Sequence, residues 1–282
     1  MLKLSVLDQS TSSEGLEEGQ SIRDTLELAQ LCDSLGYHRF WVSEHHNHPT
    51  IVGSAPEILI SAIAQTTKRI RIGSAGVMLP HYAPLKVAEQ FRVLEAMAPG
   101  RIDLGLGRAP GSDSRTAFAL NPNSRIDAEH FPLHVRDLIG WLTERGLEGG
   151  HPFQELKAHP TGPTQPEVWM LGTSEFGAQV AANLGIPYCF AHFITDGKGA
   201  KQALDLYRST FRPSELHPTP KANICIWALA AKTNAEAVKL FSSRAFWKIN
   251  RDLGFLSPLQ DPTKLEKDTL LRISKKKLTE LN

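Results

Sequence analysis

The feature that most constrains the fold of this chain is a regular alternation of short apolar runs with longer amphipathic stretches. Each run has the length and apolar character of a buried parallel strand. The seven predicted strands are residues 3–8, 40–44, 70–79, 101–107, 168–172, 186–191 and 223–231. This alternation indicates an α/β fold, and the number of units favours a (β/α)8 TIM barrel. A doubly wound open sheet is the alternative, but no predicted strand is followed by a GxGxxG turn.

The amphipathic stretches between these runs predict the helices. They cover residues 21–35, 54–67, 84–97, 132–145, 175–184, 198–211 and 234–247. Ser21 is predicted to cap the first helix, and Val87, Phe91 and Leu94 are expected to face inward from the third. A long connection rich in Pro, Gly and His, residues 108–165, separates the fourth strand from the fifth.

The composition restricts the classes of partner. A chain of 282 residues with 41% hydrophobic residues is long enough for one large domain. Its formal net charge of +1 gives no electrostatic case for binding nucleic acid or an acidic membrane surface. We expect no signal peptide and no membrane span. The three cysteines are far apart in apolar contexts, which is typical of reduced thiols in a cytoplasmic protein.

The predicted units number seven, whereas a complete barrel of this type has eight. After residue 247 the sequence becomes polar and Lys-rich, and it contains no convincing eighth strand. We therefore expect residues 1–250 to form the barrel, with its last strand and helix missing or atypical. Residues 251–282 are expected to be an atypical C-terminal tail and not a separate domain.

Polar residues follow the predicted strands at the end where barrels place their chemistry. The EHHNH sequence at 44–48 contains ligands suited to zinc or iron, which would make the protein a metal-dependent hydrolase. However, adjacent residues on a strand point to opposite faces, so His45 and His46 cannot easily hold one ion. Structural histidines are a second interpretation. We favour a third, in which a histidine takes part in catalysis or contacts a cofactor.

Three other stretches indicate a ligand site. GSAGVMLP (73–80) has small residues, so either a flat ligand approaches this strand or the strand bulges and packs tightly. LGLGRAPGSD (104–113) carries Arg108, which suits a phosphate or carboxylate. GTSEFGAQ (172–179) opens a helix whose N–H groups attract anions, although Ser174 is equally able to cap that helix. Together they indicate a flat phosphorylated cofactor such as FMN, and do not distinguish it from a sugar phosphate.

Four segments taken together resemble the bacterial luciferase-like flavin monooxygenases. They are WVSEHH (41–46), GSAGVMLP (73–80), PLKVAEQFRVLEAMAPGRIDLGLGRAPGSD (84–113) and VWMLGTSEFGAQVAANLGIP (168–187). The similarity runs in order from about residue 3 to residue 250. The nearest match is to the uncharacterised FMN-type branch of that family.

The resemblance implies a (β/α)8 TIM barrel of the luciferase-like type and a two-component monooxygenase. Such an enzyme takes reduced FMN from a separate flavin reductase and uses O2 to oxidise a small organic substrate. The family's catalytic histidine falls on His45, and its cis peptide falls on Ala75-Gly76. The cofactor is expected to contact Glu44, Ala75, Gly76, Arg108, Thr173, Ser174 and Gly177. A homodimer is also expected.

Two alternatives remain within the resemblance. One is a deazaflavin-dependent dehydrogenase of the same fold, which needs basic groups at the pocket mouth for the polyglutamyl tail of that coenzyme. The other is a flavin-binding protein without turnover. The substrate is expected to be set by loops, which carry no readable pattern.

Overall fold

The computed structural model describes residues 2–265 and contains one parallel sheet with its strands in chain order. The strands are β1 (Ser5–Asp8), β2 (Arg39–Val42), β3 (Arg71–Met78), β4 (Ile102–Gly107), β5 (Glu167–Gly172), β6 (Tyr188–Phe190) and β7 (Ala222–Ile224). Among the described residues there are seven strands, so the expected barrel fold with its last unit missing is confirmed.

Helices connect the strands and cover the outside of the sheet. They are α1 (Glu18–Ser34), α2 (Pro56–Thr66), α3 (Pro84–Met97), α4 (Ser114–Leu120), α5 (Ser124–Glu129), α6 (Phe131–Leu142), α7 (Glu175–Leu184), α8 (His192–Thr195), α9 (Ala200–Thr210) and α10 (Asn234–Asp252). Among them α2, α3, α7 and α9 pack on the sheet, and Val87, Phe91 and Leu94 of α3 are buried as predicted.

Ion pairs join several strands at the end of the sheet where the strands begin, here called the lower end. These pairs show that the sheet curls. Arg39 at the start of β2 donates to Glu167 at the start of β5, with Nη2 and Oε2 2.6 Å apart. In a flat sheet these strands would lie roughly 14 Å apart, because neighbouring strands are about 4.8 Å apart. The sheet is therefore curled, which brings the first residues of β2 and β5 together, as in a barrel.

Asp103 is the centre of this charged cluster at the lower end. It is fully buried, and it accepts hydrogen bonds from Arg39 Nε at 2.8 Å, Trp41 Nε1 at 2.9 Å and Arg71 Nη2 at 2.6 Å. Glu167 accepts from Lys221 and from Trp169 Nε1 as well as from Arg39. Every buried charge in this cluster therefore has an opposite partner.

Several predicted boundaries were wrong. The first helix begins at Glu18, and Ser21 lies inside it, where its hydroxyl donates to the backbone oxygen of Thr11. The connection 108–165 contains three helices where one was predicted. The last strand ends at Ile224 and not at residue 231, and the last helix continues to Asp252.

The segment after α10 returns to the loop that follows β1. Leu259 N donates to Ser12 O at 2.9 Å, and Glu14 N donates to Leu259 O at 2.8 Å. Ser243 of α10 donates to Gln260 O. Residues up to 260 therefore contact the barrel directly. The Lys-rich stretch at 275–277 lies outside the described residues.

Candidate active site

A cavity of about 430 Å3 opens at the carboxyl ends of the strands. This volume lies within the roughly 300–1,000 Å3 that ligand pockets occupy. Its lining comes from β1 to β6, from α6, α7, α8 and α10, and from the loops between them, and includes His45, Ala75, Gly76, Thr173, Gly177 and Arg244. Of the predicted site residues, the cavity brings together His45, Ala75, Gly76, Arg108, Thr173, Ser174 and Gly177.

Glu44 is the predicted site residue that does not line the cavity. Its carboxylate is almost completely buried behind the wall, where it accepts hydrogen bonds from Met78 N at 3.1 Å and Tyr82 Oη at 2.7 Å. His46 also donates to it, at 2.7 Å. Glu44 thus ties the end of β2 to the end of β3, and His46 points away from the cavity that His45 faces.

The imidazole of His45 lines the cavity without a partner for one of its nitrogens. Nδ1 is buried and makes no hydrogen bond within residues 2–265. Burial, followed by the neighbouring His48 and His46, lowers the pKa of His45 to about 4. His45 is therefore a neutral imidazole at pH 7, able to donate or accept one hydrogen bond with a ligand in the cavity.

The ring of His48 lies 5.7 Å from that of His45 and also faces the cavity. Its Nδ1 accepts hydrogen bonds from the backbone N–H groups of Thr50 and Ile51, both at 3.1 Å. Burial, then Arg244 and Arg251, lowers the pKa of His48. Because Nδ1 is an acceptor, the proton of the neutral ring lies on Nε2.

Strand β3 bulges where it passes the cavity. Ser74 pairs with Leu104 and Val77 with Leu106, so two residues of β3, Ala75 and Gly76, face a single residue of β4. The peptide bond between them is cis, as the resemblance predicted.

The hydroxyl of Ser74 replaces backbone pairing at this bulge. Its Oγ donates to Gly105 O at 2.9 Å and accepts from Gly105 N at 3.1 Å. A Cβ at Gly76 would lie 2.6 Å from Leu171 Cδ1 and 2.7 Å from Gly105 O. Tight strand packing therefore explains the glycine, and the same packing leaves the flat backbone of Ala75 and Gly76 on the cavity wall.

The first turn of α7 and Arg108 form an anion-attracting part of the wall. Ser174 occupies the N-cap of α7, but its side chain makes no capping hydrogen bond. The Cζ of Arg108 lies 4.1 Å from the ring centroid of Phe176. The hydroxyl of Ser174, the helix N–H groups and the Arg108 guanidinium are thus available to an anionic ligand.

Helix α10 supplies a wall that the sequence analysis missed. Arg244, Trp247 and Arg251 all line the cavity. Trp247 Nε1 donates to Thr50 Oγ1 at 2.7 Å, which holds α10 against the loop after β2. Their spacing in the sequence was a signal, since positions 244, 247 and 251 share one helix face, but a helix predicted to end at residue 247 could not show it.

The two cavity thiols are not activated for nucleophilic chemistry. Burial, followed by the neighbouring Cys225, raises the pKa of Cys189. Burial raises the pKa of Cys225 to about 11. Both cysteines remain protonated at neutral pH, which agrees with the expectation of reduced thiols.

A metal centre finds no support in the described part of the chain. Within residues 2–265 no group of three or more His, Cys, Asp or Glu side chains is placed to hold a metal ion.

Over the same residues, no helix combines the length and the apolar character needed to cross a membrane.

Comparison with known proteins gives close relatives over most of the chain. The "Luciferase-like monooxygenase" of Escherichia coli (strain K12) is 42% identical over 261 residues, covering 91% of this chain and 76% of the relative. The "N-acetyl-S-alkylcysteine monooxygenase" of Bacillus subtilis (strain 168) is 39% identical over 253 residues, covering 88% and 74%. The crystal structure of apo-MsnO8 is 37% identical with a TM-score of 0.87, covering 98% of this chain and 79% of that one.

More distant structures share the fold. One is the oxygenating constituent of 3,6-diketocamphane monooxygenase from Pseudomonas putida in complex with FMN, at 18% identity and a TM-score of 0.64. Another is an F420-dependent secondary alcohol dehydrogenase, at 17% identity and a TM-score of 0.62.

The sequence also matches the family model described as luciferase-like monooxygenase over residues 2–272. Since that match runs through nearly the whole chain and agrees with the relatives and with the sheet, this protein belongs to the luciferase-like monooxygenase family.

Proposed function

We propose that this protein is a flavin-dependent monooxygenase that uses reduced FMN and O2 to oxidise a small organic substrate. The observation that carries the proposal is the cavity itself. In it a neutral histidine, whose Nδ1 has no partner within residues 2–265, faces a flat backbone wall and an anion-attracting helix terminus. Family membership supports the reaction class.

The residues present fit an FMN molecule. The bulge at Ala75 and Gly76 offers a flat surface to a planar ring. The first turn of α7, with Thr173, Ser174 and Arg108, suits the phosphate. When bound, reduced flavin supplies the electrons with which O2 is activated.

His45 is placed to act on the reacting atoms. As a neutral imidazole with a buried nitrogen that has no partner within residues 2–265, it can hold one proton or one hydrogen bond. The low pKa of His45 keeps its own ring uncharged at neutral pH. We assign His45 the role of holding or moving a proton at the flavin or at the organic substrate while the substrate is oxidised.

The relative from Bacillus subtilis suggests the class of substrate. That protein is named for N-acetyl-S-alkylcysteine. Its 39% identity over 88% of this chain supports trying S-alkylated N-acetylcysteines as the first substrates.

The test begins with an anaerobic titration of the protein with reduced FMN, followed by mixing with O2. A saturable spectral change, followed by a transient near-ultraviolet absorbance and consumption of an S-alkylated N-acetylcysteine, supports the proposal. Flavin binding without turnover would leave a non-catalytic flavin-binding protein. No flavin binding would contradict the proposal.

The His45→Ala variant tests the assigned role. We expect flavin binding to persist while turnover falls by about 100- to 10,000-fold. The exposed His130 provides a matched control, and His130→Ala should keep both properties. A parallel loss of binding and turnover in His45→Ala would show that the ring only supports the pocket.

A deazaflavin-dependent dehydrogenase is the second candidate. The arginines that line the cavity favour it, since a polyglutamyl tail requires basic groups. Titrations with oxidised FMN and with the deazaflavin coenzyme discriminate the two. Tighter binding of the deazaflavin, with no O2 consumption, would replace the monooxygenase proposal.

We also propose two partners. A separate flavin reductase would supply the reduced FMN, and adding one to the assay should raise turnover without changing the product.

A second copy of the chain would cover the groove between α2 and α3, where Ile58, Val93 and Met97 are exposed by 66%, 47% and 40%. Light scattering should give a dimer mass that Ile58→Glu lowers to that of a monomer.

A further inference from the structure

The charges that line the cavity are unbalanced. Among residues 2–265 the lining contains three arginines, Arg108, Arg244 and Arg251, and no aspartate or glutamate. A water-poor site with several cations and no lining carboxylate attracts anions strongly. Arg108 lies beside the phosphate-binding turn of α7 in the function proposed above, so the two arginines of α10 remain to be explained.

Arg244 is the more unusual of the two. Its Cζ lies 3.5 Å from the ring centroid of Trp227 and 3.8 Å from that of Trp247. Its Nε is buried and has no hydrogen-bond partner within the part of the chain that the structure describes. The N–H donors of a guanidinium lie in its plane, so stacking on its faces leaves them available.

The neighbouring cations on α10 are already balanced. Arg251 donates to Asp252 Oδ1 at 2.8 Å. Lys248 lies within 3.2 Å of Asp196 Oδ2 and 3.6 Å of Asp252 Oδ2. Stacking on indole rings offsets only part of the cost of burying a cation. Burial, followed by Arg251, lowers the pKa of Arg244 to about 9, so the guanidinium still carries its charge at pH 7.

Arg244 also lies on the same wall as the proposed catalytic histidine. Trp247, which it stacks on, has its ring centroid 6.3 Å from that of His48, and the ring of His48 lies 5.7 Å from that of His45. An anion held by Arg244 would therefore lie on the wall that also carries His48 and His45, whereas Arg108 packs on Phe176 of α7.

We propose that Arg244, held against Trp227 and Trp247, binds the carboxylate of the organic substrate. The substrate class is therefore a small organic acid with an apolar group that reaches toward His45. This inference rests on the proposed function, whose candidate substrates, S-alkylated N-acetylcysteines, carry one carboxylate.

The test compares an S-alkylated N-acetylcysteine with its uncharged methyl ester by calorimetric titration, with and without oxidised FMN. The unmodified protein should bind the acid more tightly than the ester by on the order of 10- to 100-fold. Arg244→Gln should abolish that preference, and Arg244→Lys should keep part of it. The exposed Arg208 of α9 is the matched control, and Arg208→Gln should behave as the unmodified protein does. The melting temperature of each variant is measured alongside.

Equal binding of acid and ester by the unmodified protein, or no binding of either, overturns the inference. So does an Arg244→Gln variant that loses FMN affinity while it keeps the preference for the acid, because the arginine would then serve the cofactor. Flavin binding without a preference for the acid contradicts the inference alone. A preference for the acid in a protein that binds no flavin contradicts the proposed function alone.

Discussion

The two ends of the barrel differ in how completely their buried polar groups are paired. At the lower end, Asp103 and Glu167 are surrounded by donors, and each charge is matched. At the upper end, Ser43 Oγ, His45 Nδ1 and Arg244 Nε are buried without partners in the described part of the chain. Paired buried groups lock one arrangement, whereas unpaired ones cost stability unless a ligand satisfies them. The lower end therefore supports the fold, and the upper end is prepared for binding.

The largest effect is expected from breaking the lower cluster. Asp103→Asn removes the charge that faces Arg39 and Arg71 and leaves both guanidinium groups without a full counter-charge. We expect a loss of about 3–5 kcal/mol in the free energy of unfolding by urea. Asp205→Asn, at an exposed pair with Lys201, is the control and should change little. An Asp103→Asn protein as stable as the unmodified one would refute the structural role of the cluster.

The second largest effect is expected from lowering the pH, which should reduce the stability that the lower cluster contributes. Burial favours a raised pKa for Glu167, but Lys221, Arg39 and Trp169 outweigh it and lower the pKa from 4.5 to about 2. Stability from this group is therefore present above pH 4.5 and is lost as the pH falls toward 2. The difference in stability between the unmodified protein and Glu167→Gln should shrink by about 3 kcal/mol over that range. A constant difference would place the lowered pKa in doubt.

The upper end should respond to acid in a higher pH window. Because burial lowers the pKa of His45 from 6.5 to about 4, the unfolded chain binds a proton that the folded chain refuses. Stability from this group is present above pH 6.5 and falls as the pH drops toward 4. Relative to His45→Gln, we expect a loss of about 2 kcal/mol between pH 7 and pH 5. The NMR shifts of the His45 ring should stay constant over the same interval, and a titration near pH 6.5 would contradict the burial argument.

A pair of buried serines gives the smallest and most direct comparison. Ser74→Ala removes two hydrogen bonds to Gly105 and should cost about 1–2 kcal/mol. Ser43→Ala removes a hydroxyl that has no partner within residues 2–265 and should leave stability unchanged or slightly higher. Thermal unfolding of the two variants side by side measures this. Equal losses would show that the hydroxyl of Ser43 is satisfied after all.

Much of the fold could be predicted from local patterns. The helices α3 and α7 have the predicted bounds. Helix α3 begins at a proline, and Pro99-Gly100 follows its end. Helix α7 begins after a Gly-Thr-Ser turn, and Gly185 follows its end. The β7 strand was predicted too long, because an apolar run does not show where pairing with β6 stops.

The part of the site at the strand ends was predicted from the sequence. The part formed by helix α10 was missed. Topology places His45, Gly76 and Arg108 at one edge, and the family resemblance singled out His45 and Gly76 among the residues at that edge. Glu44 was predicted to touch the cofactor but lies behind the wall, because adjacent residues of extended chain point in opposite directions and His45 is the one that faces the cavity. The α10 wall depends on contacts between Thr50 and Trp247, which no local pattern contains.

The hydrogen bonds of Thr50 have a consequence for the order in which this protein forms. Thr50 Oγ1 accepts from Trp247 and donates to Ser257 O, across 197 and 207 residues of chain. Contacts of such long range close late in folding, because the entropy of closing the loop must be offset by structure already present. During synthesis the lower cluster is complete once Lys221 has emerged. The wall that carries Arg244 needs Trp247 to reach Thr50, so its last contact lies later in the chain than the last contact of the lower cluster.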